Sequence, residues 1–145
     1  KKGDMRAIAV VFGAENPKTR NAQVTKMLDY AFAQYTTHPL YKKDEVLKDV
    51  MVSKGTEKTV SGVTSESISI LTKKGEDKKA YKVKVEMKEK LSAPIEKGEK
   101  IGTLKIVKAG KEIVESPIVA QKEIKEASWW QLFKKSMGMF THGGK

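Results

Sequence analysis

The sequence predicts a mainly β protein, in which a small antiparallel β-sandwich domain lies between a strand–helix segment and a C-terminal amphipathic helix. Three observations lead to this fold class. Short apolar runs separated by glycines fill the middle of the chain, and residues 81–88 alternate between apolar and charged side chains. Near both ends, apolar residues recur every three or four positions. The predicted divisions are residues 1–37, 38–122 and 123–145.

The first division combines one strand with one helix. Residues 6–12 form a continuous apolar run, which is typical of a strand buried on both faces of a sheet. From about Asn21 to Tyr35 the apolar residues share one helical face, and Thr19 or Asn21 is expected to cap this helix. One strand and one helix cannot enclose a core, so we expect them to complete a domain whose other elements lie outside this sequence.

The second division contains the strands of the β domain. A short polar linker over residues 36–39 precedes it, because Pro39 disfavours further helix. Strands are predicted over residues 46–52, 66–72, 81–88, 102–107 and 111–119. Turns are predicted at Gly55, Gly62, Gly75 and Gly98, and across residues 108–110. Alternating runs leave one polar face, so we expect antiparallel pairing.

The third division contains one amphipathic helix. At about 100° per residue, the large apolar side chains between residues 129 and 140 fall within half of the circumference, with Ser136 as the one polar intruder. Tryptophan and phenylalanine rings settle at lipid interfaces, and paired lysines suit anionic head groups. The residues predicted to bind a membrane are Trp129, Trp130, Leu132, Phe133, Lys134, Lys135, Met137, Met139 and Phe140.

Two other uses of this helix remain as alternatives. In the first alternative, its apolar half packs on the β domain. In the second alternative, it pairs with the same helix of a second chain. We expect membrane association instead, because the ring types suit an interface and the helix follows the last predicted strand. No run of about eighteen apolar residues occurs, so no segment is expected to span a bilayer.

Charge and composition restrict the possible partners. The chain has 29 basic and 18 acidic residues, for a net charge of +11 that is spread over all three divisions. Such an excess favours an anionic neighbour, which includes phospholipid, anionic wall polymer and nucleic acid. The sequence has no cysteine, which excludes disulfides, zinc–thiolate sites and thiol catalysis.

No catalytic pattern is found in the sequence. None of the serines has a lysine three residues later, as a Ser-x-x-Lys nucleophile requires, and the Lys-Thr-Gly motif is absent. His38 and His142 fall in the predicted linker and tail, where both are expected to be exposed and without a ligand cluster. We therefore expect no catalytic residue, no metal site and no cofactor in this chain.

The order of these features resembles one family of enzymes. The segments RAIAVVFGA at 6–14, KTRNA at 18–22 and MLDYAF at 27–32 are similar to the last strand and last helix of the penicillin-binding domain in serine-type D-alanyl-D-alanine carboxypeptidases, the low-molecular-mass penicillin-binding proteins. Short segments of the β region resemble the C-terminal domain of that family: API at 93–95, KG at 97–98 and IG at 101–102. The C-terminal helix is similar to the family's membrane anchor.

The resemblance implies a role in peptidoglycan maturation. In this family a serine is acylated by the D-Ala-D-Ala end of the stem peptide, and its Ser-x-x-Lys, Ser-x-Asn and Lys-Thr-Gly motifs precede the region matched here. Residues 1–37 would then be a strand–helix remnant of the α/β catalytic domain, residues 38–122 a stalk, and residues 123–145 an anchor. The parent protein would be exported by a signal outside this sequence and held peripherally on the extracytoplasmic face of the bacterial membrane. The stem peptide would be bound only by the catalytic domain.

Two other functions remain open. A basic β-barrel that binds nucleic acid is one, but residues 81–88 interleave lysine with aliphatic residues rather than with aromatic rings that stack on bases. We therefore do not expect nucleic acid as a partner. In the second alternative, the β domain binds other proteins of cell-wall synthesis.

Overall fold

The computed structural model describes residues 2–3 and 5–141, with side chains up to Gly138. Strands are the main secondary structure, so the predicted mainly β class is confirmed. The chain divides into two compact units. Unit 1 comprises residues 1–40 and 69–80, and unit 2 comprises residues 41–68 and 81–145.

The long helix of unit 1 is α1, Pro17–Gln34. Its N-cap is Asn16, whose side-chain Oδ1 accepts a hydrogen bond from the Thr19 backbone N–H at 2.8 Å. The prediction of Thr19 or Asn21 as the cap is therefore wrong. An asparagine followed by a proline starts a helix well, because the cap satisfies a free N–H and the proline has none to satisfy.

The strand predicted over residues 6–12 is not formed in the structure. These residues have no ladder partner within the described part of the chain, and a strand is defined by its neighbour. Three of their apolar side chains are instead exposed, with Ile8 at 80%, Val10 at 63% and Phe12 at 91% of the full value. Helix α1 likewise has no buried residue. Three of the large apolar side chains of residues 6–12 are thus left uncovered.

The residues predicted as a linker form a strand. Strand β1, Tyr35–Tyr41, pairs with β4, Ile68–Lys73, in a two-stranded sheet. The linker prediction over 36–39 is therefore wrong, because Pro39 is tolerated in a strand that has a free edge. His38, expected to be exposed, is half-buried in β1, whereas His142 lies outside the described residues. A single 3₁₀ turn, Lys78–Ala80, follows β4.

Unit 2 is built on a six-stranded sheet. Its strands are β2, Val46–Ser53; β3, Thr59–Thr64; β5, Tyr81–Met87; β6, Lys90–Ser92; β7, Lys100–Lys108; and β8, Lys111–Ala120. The spatial order is β5-β7-β8-β3-β2-β6. Neighbours are antiparallel except that β2 and β6 are parallel, which corrects the expectation of a wholly antiparallel sheet. Strand β6 has only three residues, and so short a run has no hydrophobic pattern from which its direction could be predicted.

One face of this sheet forms the core of unit 2. Its fully buried side chains include Val60, Leu104, Ile106 and Ile118. Full burial of each such side chain contributes about 1.5–3 kcal/mol. Strands β7 and β8 are joined at Ala109 and Gly110, which both have positive φ, at 50° and 78°. Two left-handed residues suit the twist of a tight hairpin, so the predicted connection is confirmed.

Gly62 lies within β3 and not in the turn predicted there. A Cβ at this position would collide with the Met87 methyl group and would come within 2.9 Å of Ile118 Cγ2. Met87 belongs to β5, three strands away in the sheet order, so the sheet curls until these two strands meet. The glycine is needed for this close approach. Gly75 and Gly98 do lie in turns, with φ of 86° and 84°.

Candidate functional site

The C-terminal helix is α2, Trp129–Thr141, and its start is determined by two side chains. The Gln131 N–H donates a hydrogen bond to Ser128 Oγ at 3.3 Å, and the Ser128 N–H donates one to Gln131 Oε1 at 3.1 Å. The Ser128 carbonyl accepts the first helical bond, from the Leu132 N–H at 3.0 Å. This reciprocal arrangement is a capping box, which satisfies two free N–H groups at the helix start.

The connecting segment, residues 124–127, ties α2 to the β strands of unit 2. Ile124 exchanges two backbone hydrogen bonds with Ile95, each of 2.9 Å. The Ala127 N–H donates to the Lys54 carbonyl at 2.8 Å. The side chains of Ile124 and Ala127 are both buried. The first residue of α2 is thereby held at a defined place beside the loop that joins β2 to β3.

Gly55 permits this attachment. It forms an isolated antiparallel bridge with Glu126, and the neighbouring Thr56 N–H donates to the Lys125 carbonyl at 2.9 Å. A Cβ on Gly55 would lie 2.8 Å from Ile124 Cγ2 and 3.0 Å from Val52 Cγ1. Both distances are shorter than side-chain contacts normally allow. Sequence analysis assigned Gly55 only to a turn, because no local pattern indicates a partner so far along the chain.

Two side chains of the polar half of α2 lie beside the loop that joins β2 to β3. Gln131 and Lys135 line a shallow cleft together with Gly55, Thr56 and Ala127. On the opposite half, Trp129 is 72% exposed, Trp130 65% and Phe133 43%. Met137 is also exposed, and Leu132 is half-buried. Three rings of the apolar half are therefore exposed, and Leu132 is the one residue between positions 129 and 138 that is half-buried.

Three aromatic rings form one cluster on the exposed half. Trp129 stacks on Phe133 with centroids 5.5 Å apart and planes at 13°. Trp130 meets Trp129 edge-on at 5.9 Å and meets Phe133 edge-on at the same distance. Such pairs are favourable beyond the area that they bury. Residues one turn apart in α2 thus present one continuous aromatic surface.

The remaining predicted membrane-binding residues occupy the rest of the helix. Lys134 and Lys135 are exposed on the polar half. Met139 and Phe140 belong to α2 by their backbone, and their side chains lie outside the described part of the structure. Ser128, Gln131 and Gly55 also belong to this site, although they were not predicted from the sequence to do so. The serine–x–x–glutamine spacing was a usable signal for the first two residues.

Within residues 2–3 and 5–141, no three His, Cys, Asp or Glu side chains come close enough to bind a metal ion. Neither of the described helices is long and apolar enough to cross a membrane.

An apolar groove on unit 1 is the other notable surface. Val10, Phe12, Met27 and Tyr30 line it, with Gln23 and Lys26 at its polar margin. Most of its lining is apolar, which is the character of a packing surface.

Comparison with known proteins gives one consistent family. Residues 35–126 match the family model described as the C-terminal domain of penicillin-binding protein 5. The chain is 55% identical over 141 residues to D-alanyl-D-alanine carboxypeptidase DacF of Bacillus subtilis, covering 97% of this chain and 36% of that protein. It is 27% identical over 129 residues to D-alanyl-D-alanine carboxypeptidase DacC of Escherichia coli, covering 89% and 32%. The chain spans about a third of the length of these relatives.

Solved structures show the same fold. Penicillin binding protein 5 from Haemophilus influenzae superposes with a TM-score of 0.64 at 24% identity, covering 75% of this chain and 32% of that one. The peptidoglycan synthesis regulatory factor PBP3 from Streptococcus pneumoniae gives 0.58 at 20% identity, covering 79% and 34%. At such identities the likeness concerns the fold alone.

Proposed function

The chain belongs to the family of penicillin-binding protein 5 C-terminal domains, and from that premise we propose that it positions a D-alanyl-D-alanine carboxypeptidase on a membrane surface. The family membership confirms the resemblance inferred from the sequence. The proposal assigns the catalysis to the part of the relatives that this chain does not cover. Unit 2 would serve as a stalk, and α2 as the anchor.

One observation carries the anchoring proposal. The Trp129–Trp130–Phe133 cluster is exposed, while Gln131 and Lys135 on the other half of α2 line the cleft beside Gly55. A helix that packed its apolar half into the β core would have the reverse orientation. An interface between water and lipid suits the observed orientation, because rings enter the acyl boundary while lysines stay at the head groups.

The energetics favour reversible attachment. Complete burial of one large apolar side chain contributes about 1.5–3 kcal/mol, and an interfacial helix buries only part of each. Each lysine near an anionic surface adds about 1 kcal/mol. The capping box and the connecting segment hold the start of α2 before it meets the membrane, which lowers the entropy lost on binding. We therefore propose peripheral, salt-sensitive membrane binding.

The connecting segment is what would make the attachment a positioning device. Its hydrogen bonds to Ile95 and Lys54 link α2 to the segments that follow β6 and β2 in unit 2. A stalk held in this way would keep an attached catalytic domain at a set height above the bilayer. This role requires an extracytoplasmic location and an export signal, and both belong to the proposal. The peptidoglycan stem peptide would be bound by the catalytic domain.

The exposed apolar groove of unit 1 fits the same proposal. Ile8, Val10 and Phe12 expose apolar surface to water, which is unfavourable, and α1 buries none of its residues. We propose that this segment packs against the catalytic domain as its last strand and helix. Pairing with that domain's sheet would supply the ladder that residues 6–12 lack here.

Vesicle sedimentation tests the anchoring proposal. With phosphatidylglycerol-containing vesicles, the W130S/F133S variant should stay in the supernatant while the parent chain pellets. The matched control is I8S/F12S, which replaces two apolar side chains of unit 1 that are more exposed than Trp130 and Phe133, and it should pellet as the parent does. An unchanged pellet for W130S/F133S, together with a lowered melting temperature, would show that α2 belongs to the core.

A further inference from the structure

Strand β5 is the terminal strand of the six-stranded sheet, and one of its edges is open. The Lys88 N–H donates to the Ile101 carbonyl, which sets the hydrogen-bonding phase of the β5–β7 ladder. In an antiparallel ladder, bonded and non-bonded pairs alternate. The backbone N–H and C=O groups of Val83 and Val85 therefore point away from β7. Open groups of this kind are a template for one more strand.

The apolar face of the sheet continues onto β5, where it is only partly covered. Val83 lies opposite Ile106 and Val85 opposite Leu104, and these two partners on β7 are fully buried. Val83 and Val85 themselves are 39% and 41% exposed. Opposed residues share a face, so the two valines extend the core to its rim. An added strand with aliphatic residues at matching positions would cover them.

The other face of β5 carries unmatched positive charge. Lys82 and Lys84 are exposed, and neither forms an ion pair within the described part of the chain. The one acid of the strand, Glu86, is engaged by Lys105 at 3.4 Å. Lys105 also contacts Glu112 at 3.2 Å, and its hydrogen bonds, first to Glu112 and then to Glu86, raise its pKa above the usual value. The free charges at the open edge are therefore the two lysines.

We propose that β5 binds an extended segment of another polypeptide, in which acidic and aliphatic residues alternate, as an added antiparallel strand. Backbone hydrogen bonds would come from Val83 and Val85, and the side-chain preference from the alternation of valine and lysine. A second copy of this chain is a poor occupant. Symmetric pairing would set Lys84 opposite Lys84 of the other copy, and each chain has a net charge of +11.

The experiment titrates a peptide with the sequence Gly-Val-Glu-Val-Glu-Val-Glu-Val-Gly into the ¹⁵N-labelled chain. We expect amide shift changes confined to β5 and its neighbour β7. Two control peptides should not bind: one with lysine in place of glutamate, and one with the same composition in two blocks. Together they separate strand addition from simple charge attraction.

Two variants test the contacts. V83P removes an N–H that points to the open edge, so the β5–β7 ladder and the melting temperature should be kept while peptide binding is lost. K82E/K84E reverses both free charges and should weaken binding about tenfold without affecting the fold. The proposal is overturned if V83P binds as well as the parent chain, if the shifts spread over other lysines, or if binding is weaker than about 1 mM. Dimerisation through β5 without peptide would also overturn it.

Discussion

The Ser128 and Gln131 side chains each accept a hydrogen bond from the other residue's backbone N–H, at 3.3 and 3.1 Å. This pair sets Trp129 as the first residue of α2, so that Trp129, Trp130 and Phe133 meet on one half of the helix. A shift of the helix start by one residue would move the connecting segment relative to the rings. The cap therefore influences both the presence of the helix and the direction of its aromatic cluster.

Removing the cap should weaken membrane binding. In S128A the Gln131 N–H loses its acceptor, which costs about 1 kcal/mol of helix stability. Vesicle affinity should fall about fivefold, measured by tryptophan fluorescence during titration with anionic vesicles. S136A is the control, because Ser136 is exposed within the helix and its replacement should not reduce affinity. Equal affinities for S128A and the parent chain would mean that the cap plays no part in binding.

The two lysines of α2 should act through long-range attraction to lipid charge. K134Q/K135Q removes about 1 kcal/mol per lysine near an anionic surface, so low-salt affinity should fall more than tenfold. The difference should shrink as salt approaches about 0.15 M, where charges are screened beyond about 8 Å. Vesicles without anionic lipid should bind the variant and the parent alike. A loss of affinity that does not depend on salt would contradict this electrostatic role.

Gly55 should be intolerant of any side chain. In G55A the new methyl group would meet Ile124 Cγ2 at 2.8 Å, and relief of this contact should cost about 1–3 kcal/mol of unfolding free energy. Denaturant unfolding measures the loss. G138A is the matched control, because a Cβ there has nothing within 4 Å and alanine favours a helix. A G55A chain as stable as G138A would show that the connecting segment is not packed on the β2–β3 loop.

Two chains shortened from the N-terminus should differ in stability, depending on whether they keep β1. A chain beginning at Tyr35 retains β1 as the partner of β4 and should unfold cooperatively, since α1 buries no residue. A chain beginning at Lys42 leaves β4 unpaired, although Ile70 and Thr72 are buried. Its melting temperature should fall by roughly 10 °C or more, for a loss of about 2 kcal/mol. If the two shortened chains have the same melting temperature, β1 does not contribute to the stability of the β strands.

The isolated chain should not react with penicillin. Acylation by a β-lactam needs a serine activated by a lysine three residues later, and none of its serines has that neighbour. Incubation with a fluorescent penicillin and denaturing electrophoresis should leave the 16.2 kDa band dark, beside a labelled intact carboxypeptidase as control. A fluorescent band at this mass would require a nucleophile of another kind.

Patterns confined to a few neighbouring residues were predicted well. The alternation at 81–88 and the three-and-four spacing after Ser128 became β5 and α2, because each period matches one backbone geometry. Predictions failed where a partner distant in sequence decided the outcome. Residues 6–12 have a strand's composition but no described neighbour, and residues 36–39 became a strand because β4 pairs with them. Gly62 was assigned to a turn because its contact with Met87 comes from the curl of the sheet.

By itself, the sequence determined the mainly β class, the amphipathic pattern of residues 129–140 and the family resemblance, since these depend on local periodicity and on the order of motifs. Only the tertiary structure decided how those patterns are oriented. It placed Val83 and Val85 at an open edge, and it placed Gln131 beside Gly55 while the rings of Trp129, Trp130 and Phe133 are exposed. The physical reason is that orientation depends on contacts between distant residues, such as the Gly55–Glu126 bridge, which no local period encodes.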